Sequence, residues 1–423
     1  MIKAPKTPLL ATMAIMALFS ANTLAINSGT DLNLSAKAKA GAMGGAAYTL
    51  PQEASAAVFG NPATLSQFKG INMNFAASYI NIASLETETE TAAGSSGRSK
   101  SAADHYILPD IGMTFELAPD LIMGTGLELD AGLGTDFRDD TTGTLGLPVV
   151  VELVSFNANV AAAYQASNEW SLGGSITIGF GLAQLGTAGS LLPTSSVHDI
   201  AFGGSLGATY QLREGVMLSA TYKGKVGYDF KNILKNAGSV PSGFQDMTVE
   251  QPSEVVVGAA FQNMLMANLL LEADVIWKNW ADAATYKDTF EDQTLLAFGG
   301  QYQMGPLSLR AGYSWAEEIL RKTPGNTLGG LDLSNLLGPD APSSQDVGRL
   351  AQMALLPVVW QHTLTAGVGY RLSESVDINT YMAYAFAEDT STAYTSPALA
   401  GAVQKTTVDY ELMLGIGIAV SIP

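Results

Sequence analysis

The chain has 423 residues, of which 47% are hydrophobic and 14% are charged, with 44 glycines and no cysteine. Because a soluble protein of this size carries about 25% charged residues, the composition excludes a disordered polyelectrolyte and does not fit an ordinary soluble enzyme. The 39 acidic and 21 basic residues give a net charge of -18, which excludes an electrostatic attraction to nucleic acid.

Residues 1–25 have the pattern of a secretory signal peptide. Lys3 and Lys6 supply a positive start, an apolar stretch follows at 9–19, and Thr-Leu-Ala at 23–25, with small residues at its two ends, offers a cleavage site. The apolar stretch is shorter than the roughly 20 residues that span a bilayer as a helix. We therefore expect export through the inner membrane and removal of the peptide, with an uncleaved anchor as the alternative.

Residues 26–69 show no regular alternation of apolar and polar positions. Glycine and alanine are concentrated at 41–47, and an alanine-rich stretch at 51–57 leads into the sequence Val-Phe-Gly-Asn-Pro-Ala at 58–63. Small residues of this kind pack compactly. If the strands that follow enclose a lumen, we expect this segment to form a hatch, or plug, inside it; a loose periplasmic tail is the alternative.

From residue 70 onward the dominant pattern has a period of two. Between 170 and 183, for example, Trp170, Leu172, Ile176 and Ile178 alternate with glycine, serine and threonine. Because alternate side chains of a strand point to opposite faces, each such segment has one apolar face and one small or polar face. We count 14 segments of this kind, at 70–83, 104–117, 120–133, 148–165, 170–183, 197–211, 215–227, 252–263, 267–280, 292–304, 306–317, 358–372, 375–388 and 405–421.

The connections between these segments alternate between short turns and long loops. An even number of strands with this alternation is typical of outer-membrane barrels, and a sheet in hydrocarbon must close because its edges would leave backbone groups unpaired. The sequence therefore predicts an all-β fold: a 14-stranded antiparallel transmembrane β-barrel over 70–423, with the hatch at 26–69 in its lumen. A large soluble β-sandwich or propeller is the alternative.

Several segments resemble one known family. The stretch 53–65 (EASAAVFGNPATL) resembles the hatch motif of FadL-type outer-membrane transporters of hydrocarbons and long-chain fatty acids, in which an acidic-Ala-Ser run leads into an aromatic residue and Asn-Pro-Ala. The segments 127–137, 253–280, 307–315 and 362–370 resemble later parts of the same family, in the same order. The residues that match the hatch motif are Phe59, Gly60, Asn61, Pro62 and Ala63.

The resemblance also implies a sideways exit for the substrate. Family members are thought to release substrate through a gap that a kink in the third strand makes in the barrel wall. The family often has Pro-Phe-Gly where this chain has Asp130-Ala131-Gly132. Since glycine adopts conformations that bend a strand, the candidate residues for a kink and gap are Asp130, Gly132 and Gly134.

Two cations stand out on the predicted lumen face. With each apolar face turned outward, Lys223 and Arg310 point inward among many acidic residues. Either could bind a ligand carboxylate through charge-assisted hydrogen bonds, and the resemblance implies a basic contact at the inner binding site. The alternative is that the lumenal charges form salt bridges between the hatch and the wall.

Apolar residues in two long loops are candidates for substrate capture. Long surface loops are usually polar, so leucines there predict either an apolar capture surface or burial against the barrel mouth. The candidates are Leu191, Leu192, Leu336 and Leu337.

The sequence offers no sign of catalysis or of a cofactor. Three histidines without ligand spacing and no cysteine give no metal motif, and no phosphate loop or nucleophile elbow is present. We therefore predict no enzymatic activity, no catalytic residue, no cofactor and no metal.

The predicted function is transport of hydrophobic small molecules across the outer membrane of a Gram-negative bacterium, foremost long-chain fatty acids. Loop capture, a hatch-side pocket and a hatch rearrangement would carry it out. The alternatives are transport of aromatic hydrocarbons, a diffusion porin, and an adhesin or structural barrel without transport. Expected partners are the substrate, outer-membrane lipid, lipopolysaccharide and the barrel assembly machinery, with no nucleic acid, and we expect a monomer.

Overall fold

A computed structural model describes residues 34–144, 148–187, 192–233, 246–328, 331–332, 343–355, 360–395 and 401–423. The predicted signal peptide and residues 26–33 lie outside this range. In chain order the strands are β1 (Ile71–Ala83), β2 (Glu86–Thr91), β3 (Gly94–Lys100), β4 (His105–Ala118), β5 (Leu121–Asp136), β6 (Val149–Gln165), β7 (Trp170–Thr187), β8 (Leu192–Arg213), β9 (Val216–Lys223), β10 (Val226–Phe230), β11 (Met247–Gln251), β12 (Glu254–Gln262), β13 (Leu269–Lys278), β14 (Gln293–Met304), β15 (Leu307–Ala316), β16 (Thr327–Leu328), β17 (Leu331–Asp332), β18 (His362–Arg371), β19 (Val376–Ala385), β20 (Glu388–Ala393), β21 (Val403–Val408) and β22 (Tyr410–Ile422).

Fourteen of these strands form one closed barrel. Around its circumference the order is β1, β22, β19, β18, β15, β14, β13, β12, β9, β8, β7, β6, β5 and β4. Each neighbouring pair is antiparallel, and the barrel closes where β1 pairs with β22, from Ile71 opposite Ile422 to Ala83 opposite Tyr410. The predicted fold class and strand number are confirmed.

The two faces of the wall differ in the way that the alternation predicts. In β7, the side chain of Ile176 is 64% exposed and that of Ile178 is 45% exposed, whereas Thr177 between them is buried. The exposed apolar row faces lipid, and the small or polar row borders the lumen. Apolar side chains on the outside are stable here because the surrounding solvent is hydrocarbon rather than water.

The remaining strands lie in the long connections. They form a β10–β11 hairpin, a β16–β17 hairpin and a four-stranded sheet in the order β20, β21, β2, β3. A helix, which we label α2 (Ser344–Leu355), lies in the connection between β17 and β18. Among the described residues, no helix is long and apolar enough to cross a bilayer.

The hatch fills the lumen with short helical turns. It contains a 3-10 turn at Gly41–Met43, the helix α1 (Ala54–Phe59) and a 3-10 helix at Pro62–Gln67. All six residues of α1 are buried. The prediction of an N-terminal hatch inside the lumen is confirmed for the described residues 34–69.

Glycines on the lumen face of the wall let the hatch backbone approach closely. A methyl group added at Gly112 of β4 would lie 2.3 Å from the amide nitrogen of Ser55, and one at Gly173 of β7 would lie 2.4 Å from that of Ala63. Contacts this short are not possible between real atoms, so the wall needs glycine there. This explains why the second face of the strands is rich in glycine.

Candidate functional site

The hatch motif is a tightly bonded turn. Asn61 is fully buried, and its side-chain oxygen accepts a hydrogen bond from the Ala63 amide at 3.1 Å, while its side-chain nitrogen donates to the Tyr48 carbonyl at 3.0 Å. Pro62 begins the 3-10 helix that follows, where a residue without an N–H is well tolerated. The motif residues therefore fix the hatch backbone, and Asn61 acts as its helix cap.

A buried lysine of the hatch reaches two strands of the wall. The Nζ atom of Lys37 lies 2.8 Å from Oδ1 of Asp110 in β4 and also binds Glu128 in β5. The same ammonium lies 4.7 Å from the centroid of the Phe59 ring. Sequence reasoning missed Lys37; the signal that could have found it is a lysine within an otherwise small-residue segment.

The wall is interrupted between β4 and β5. These strands pair from Ala118 opposite Leu121 up to Asp110 opposite Glu128. Beyond that point the described residues of β4 pair with β1 and those of β5 pair with β6, but not with each other. The two sides meet again where the Ala102 amide donates to the Asp136 carbonyl at 2.8 Å. We call this interruption the wall gap.

The predicted kink residues lie along this gap. The register of β5 against β6 shifts between Leu129 and Ala131, so Asp130 is the extra residue of a β-bulge, which bends a strand. Gly134 has a φ of 152°, and a methyl group there would lie 1.9 Å from the Val151 carbonyl oxygen. Gly132 lies between these two positions. The structure therefore brings Asp130, Gly132 and Gly134 together at one irregular stretch.

Pro109 lies at the corresponding end of β4. It is the residue just beyond the last β4–β5 pair, and it pairs with Ala77 of β1 on the other side. Proline lacks the N–H that a central strand needs. At Pro109, β4 has no β5 residue opposite it and is an edge strand on that side, where proline is tolerated.

A polar cavity lies inside the barrel next to the gap. Lys223 lies in its lining, with Nζ 3.6 Å from Oε2 of Glu254 and 5.7 Å from the centroid of the Tyr48 ring in the hatch. The lining also includes Phe59, Glu128, Asp130, Asn157, Asn159, Thr177, Ser205 and Gln251. We call this space the polar cavity.

Three amide side chains of the polar cavity each have an oxygen without a hydrogen-bond partner among the described residues. The oxygens Oδ1 of Asn157, Oδ1 of Asn159 and Oε1 of Gln251 are buried and accept no hydrogen bond in the described part of the structure. A buried polar atom without a partner is costly. Such oxygens, facing a cavity, can accept hydrogen bonds from a donor of a bound molecule.

A smaller apolar pocket adjoins the polar cavity. Gln251 borders both spaces, and the apolar one also reaches Gly132 beside the gap. The Tyr228 hydroxyl and the Ser155 hydroxyl lie 2.6 Å apart at its edge. Burial raises the pKa of Tyr228, so its hydroxyl stays neutral. The other apolar side chains of this pocket are Leu153, Val154, Leu182, Phe230 and Val249.

A third space lies between the hatch and the wall formed by β13 to β15, β18, β19 and β22. Its lining is largely apolar, with Ile276, Leu295, Trp360 and Met413 among its members. The indole N–H of Trp360 is buried and donates to no partner in the described residues. We call this space the apolar cavity.

Arg310 lies apart from Lys223. It is buried in β15, where it donates to Gln301 at 2.6 Å and to Asn379 at 2.9 Å. It is not among the residues that line the described cavities. The two predicted cations are therefore not brought together, and only Lys223 borders a space that a ligand could occupy.

The predicted capture residues lie largely beyond the described structure. Leu191, Leu336 and Leu337 fall outside the described residues, and Leu192 is the first residue of β8. The described mouth loops carry a different apolar cluster, which packs in their interior. Its aromatic and aliphatic members include Tyr228, Trp280, Tyr286, Phe290 and Ile319.

Comparisons with known proteins agree with this architecture. The P. putida toluene transporter TodX is 18% identical, with a TM-score of 0.61 over 91% of this chain and 98% of its own. A Pseudomonas aeruginosa FadL homologue is 12% identical, with a TM-score of 0.68 over 95% of this chain and 100% of its own. The Ralstonia pickettii toluene transporter TbuX is 17% identical, with a TM-score of 0.58 over 93% and 100% of the two chains.

At these identities the solved structures establish the fold. No curated protein sequence matches the chain. The family model described as outer membrane protein transport protein (OMPP1/FadL/TodX) matches residues 16–324, which is well over half of the chain. The chain therefore belongs to the OMPP1/FadL/TodX family of outer-membrane transport proteins.

Proposed function

We propose that this protein carries hydrophobic small molecules with a polar end, foremost long-chain fatty acids, into the outer membrane. The cargo enters at the mouth, occupies the polar cavity beside the hatch and the neighbouring apolar pocket, and leaves sideways through the wall gap. The observation that carries the proposal is that the polar cavity, the apolar pocket and the gap all meet along β5.

The two neighbouring spaces have the polarity of an amphiphile. The apolar pocket beside Phe230 has a lining that suits part of a hydrocarbon chain, and the polar cavity offers the ammonium of Lys223. Burying apolar chain is favourable by about 0.8 kcal/mol per CH₂. A carboxylate within reach of Lys223 would gain a charge-assisted hydrogen bond. Together these features favour a fatty acid over a molecule without a polar group.

The wall gap supports a sideways exit. A hydrophobic molecule that leaves between β4 and β5 passes directly from the lumen into lipid, without crossing the polar surface layers. Asp130, Gly132 and Gly134 border this route, and the missing ladder leaves no β4–β5 hydrogen bonds that must break along the described stretch. In this proposal the hatch must still move to connect the mouth with the gap.

Uptake measurements test the proposal. Labelled oleate is offered to cells that lack their own fatty-acid carrier, with and without this protein, and we expect faster uptake with it. Thr49 of the hatch and Ser219 of β9 have hydroxyl oxygens 2.8 Å apart, and the chain has no cysteine. The double variant Thr49→Cys/Ser219→Cys therefore offers a lock between hatch and wall.

The locked variant serves as its own control. We expect oleate uptake to be low when the disulfide is formed and to recover after reduction. Equal oleate uptake with and without the protein would rule out the fatty-acid proposal. Equal uptake by the oxidised and reduced double variant would rule out the hatch rearrangement.

Transport of aromatic hydrocarbons is a second candidate. The apolar cavity, bordered by Trp360 and Ile276, favours a compact molecule with few polar atoms. TodX and TbuX, which share the fold, are toluene transporters. Labelled toluene offered in parallel with oleate distinguishes the two substrates.

Other parts of the proposal concern the cellular setting. We propose that residues 1–25 are removed as a signal peptide, that 26–69 and 70–423 form the hatch and the barrel, and that the barrel assembly machinery inserts the mature chain as a monomer among outer-membrane lipid and lipopolysaccharide. N-terminal sequencing of the purified protein and its mass in detergent test the first and last of these statements.

A further inference from the structure

The ion pairs of Lys37 lie where the pairing between β4 and β5 ends. Asp110 and Glu128, which both bind its ammonium, are directly opposite each other and form the last pair of the β4–β5 ladder. The wall gap begins immediately beyond them. All three residues are buried, with exposures of 1%, 2% and 6%.

Without a cation these two carboxylates would repel each other. Like charges directly opposite on neighbouring strands destabilise the pairing, and buried charges without a partner are strongly unfavourable. The other oxygen of Asp110 accepts hydrogen bonds from Ser55 at 2.6 Å and from Asn74 at 2.8 Å. These donors are neutral. Lys37 is the cation that binds both carboxylates, and Lys223 adds a positive charge near Glu128.

Lys37 belongs to the hatch, whereas the two carboxylates belong to the wall. Any hatch movement that withdraws Lys37 therefore removes the cation from the last pair of the ladder. The mouth side of β5 is already free of β4 in the described structure. Separation of this one pair would extend the existing opening and would not need to start a new one.

We propose that Lys37 is a positioning residue that couples the hatch to the length of the wall gap. With the hatch seated, Lys37 holds Asp110 and Glu128 together and keeps the gap short. When the hatch moves, the two carboxylates repel, the pair opens, and the gap lengthens towards the short-turn end of the barrel. This coupling rests on the proposed function, in which the gap is the exit.

The polar cavity lies beside the residues that make this coupling. Glu128 borders the cavity as well as binding Lys37, and Phe59, which lies under the ammonium, borders it too. Cargo in the cavity therefore contacts Glu128, one member of the pair, and the Phe59 ring beneath the ammonium of Lys37. Because coupling between two sites is reciprocal, cargo that favours the moved hatch also favours the longer gap.

Amide hydrogen exchange of the whole protein in lipid nanodiscs tests the coupling. The variant Lys37→Met keeps the length of the side chain but removes its charge. We expect exchange of the peptides that contain 110–112 and 126–128 to become about tenfold faster or more, because a buried pair has lost its partner. The matched control is Lys39→Met, since Lys39 is also a buried hatch lysine but lies 3.4 Å from Asp377 of β19.

A second variant separates electrostatic coupling from damage to the fold. Lys37→Met combined with Glu128→Gln leaves only one carboxylate in the pair, and we expect exchange of the same peptides to return towards the original rate. If Lys37→Met alone leaves these peptides unchanged, the coupling is disproved. Faster exchange over the entire barrel that Glu128→Gln does not reverse would also disprove it.

The outcome is separable from that of the transport proposal. Oleate uptake tests whether the protein carries fatty acids, while hydrogen exchange reports the β4–β5 pair without any cargo. Normal uptake with unchanged exchange would contradict the coupling and leave transport intact. Faster exchange without any oleate uptake would support the coupling and contradict the fatty-acid proposal.

Discussion

Asn61 of the hatch lies directly against Gly207 of β8. A methyl group added at Gly207 would lie 2.0 Å from Oδ1 of Asn61, the atom that accepts the hydrogen bond from the Ala63 amide. The most recognisable turn of the hatch therefore depends on the absence of a side chain in the wall. This contact joins the hatch motif to a strand that lies far from it in sequence.

The variant Gly207→Ala should loosen the hatch. Overpacking of a closely fitted contact costs about 1–3 kcal/mol, and the loss should appear as faster amide exchange of residues 58–65 and a lower free energy of unfolding. The control is Gly174→Ala, because a methyl group there would lie 3.4 Å from its nearest neighbour, the side chain of Leu206. Equal effects of the two variants would contradict the importance of the Gly207 contact.

The variant Lys223→Met should impair fatty-acid uptake selectively. A hydrogen bond to a charged group contributes about 1.5–3 kcal/mol, so we expect at least a roughly tenfold higher half-saturating oleate concentration. Toluene, which has no charge, should be unaffected.

Lys225→Met provides the matched control for that experiment. Lys225 is two residues away and pairs with Glu250 at 3.5 Å and with Asp282 at 2.9 Å, but it does not border the polar cavity. If Lys223→Met leaves oleate uptake unchanged, Lys223 is a structural partner of Glu254 and not a ligand contact.

The variant Gly134→Ala should disturb β5 beside the wall gap. Gly134 has a φ of 152°, and a methyl group added there would lie 1.9 Å from the Val151 carbonyl oxygen, so there is no room for a side chain. We expect a loss of about 1–3 kcal/mol of stability from backbone strain, measured by urea unfolding in lipid vesicles. Gly94→Ala tests strain without a clash, because Gly94 also has a positive φ of 118° but has nothing within 4 Å.

Comparison of the two glycine variants decides which cause dominates. If Gly134→Ala costs no more than Gly94→Ala, the close approach to Val151 has no energetic role. If it costs more and also alters oleate uptake, the conformation of β5 matters for the proposed exit.

The mouth loops should become less stable as the pH rises. Burial raises the pKa of Glu318, although the amides of Ile319 and Leu320 oppose this by donating to its carboxylate. An acid with a raised pKa binds more protons in the folded loop than in the unfolded one. Its contribution to stability therefore falls as the pH rises from the ordinary carboxyl value of about 4.3 towards the raised pKa.

Amide exchange of residues 286–291 and 317–321, corrected for its intrinsic pH dependence, measures this effect. We expect less protection at neutral than at acidic pH in the original protein, and a smaller difference in Glu318→Gln. Glu291→Gln is the control, because Glu291 is an exposed neighbour. A pH dependence that Glu318→Gln leaves unchanged would assign it to another group.

The sequence alone determined the barrel and its strand number. Side chains on a strand alternate between two faces whatever its partners are, so the apolar rows of segments such as 170–183 could be counted without knowing the topology. The hatch was also predictable, since the segment around Asn61 lacks that alternation and resembles a known motif. The interruption near Asp130, Gly132 and Gly134 was predicted only through the family resemblance.

Which charged side chains lie in contact depends on the tertiary structure. Lys37 approaches Asp110 and Glu128 because the hatch docks in one orientation inside the closed barrel, and no sequence period encodes that orientation. The strand order of the closed barrel separates Arg310 in β15, which binds Gln301 and Asn379, from Lys223 in β9, which borders a cavity. A strand pattern records the direction of each side chain, whereas contacts across the lumen depend on how separate elements pack in three dimensions.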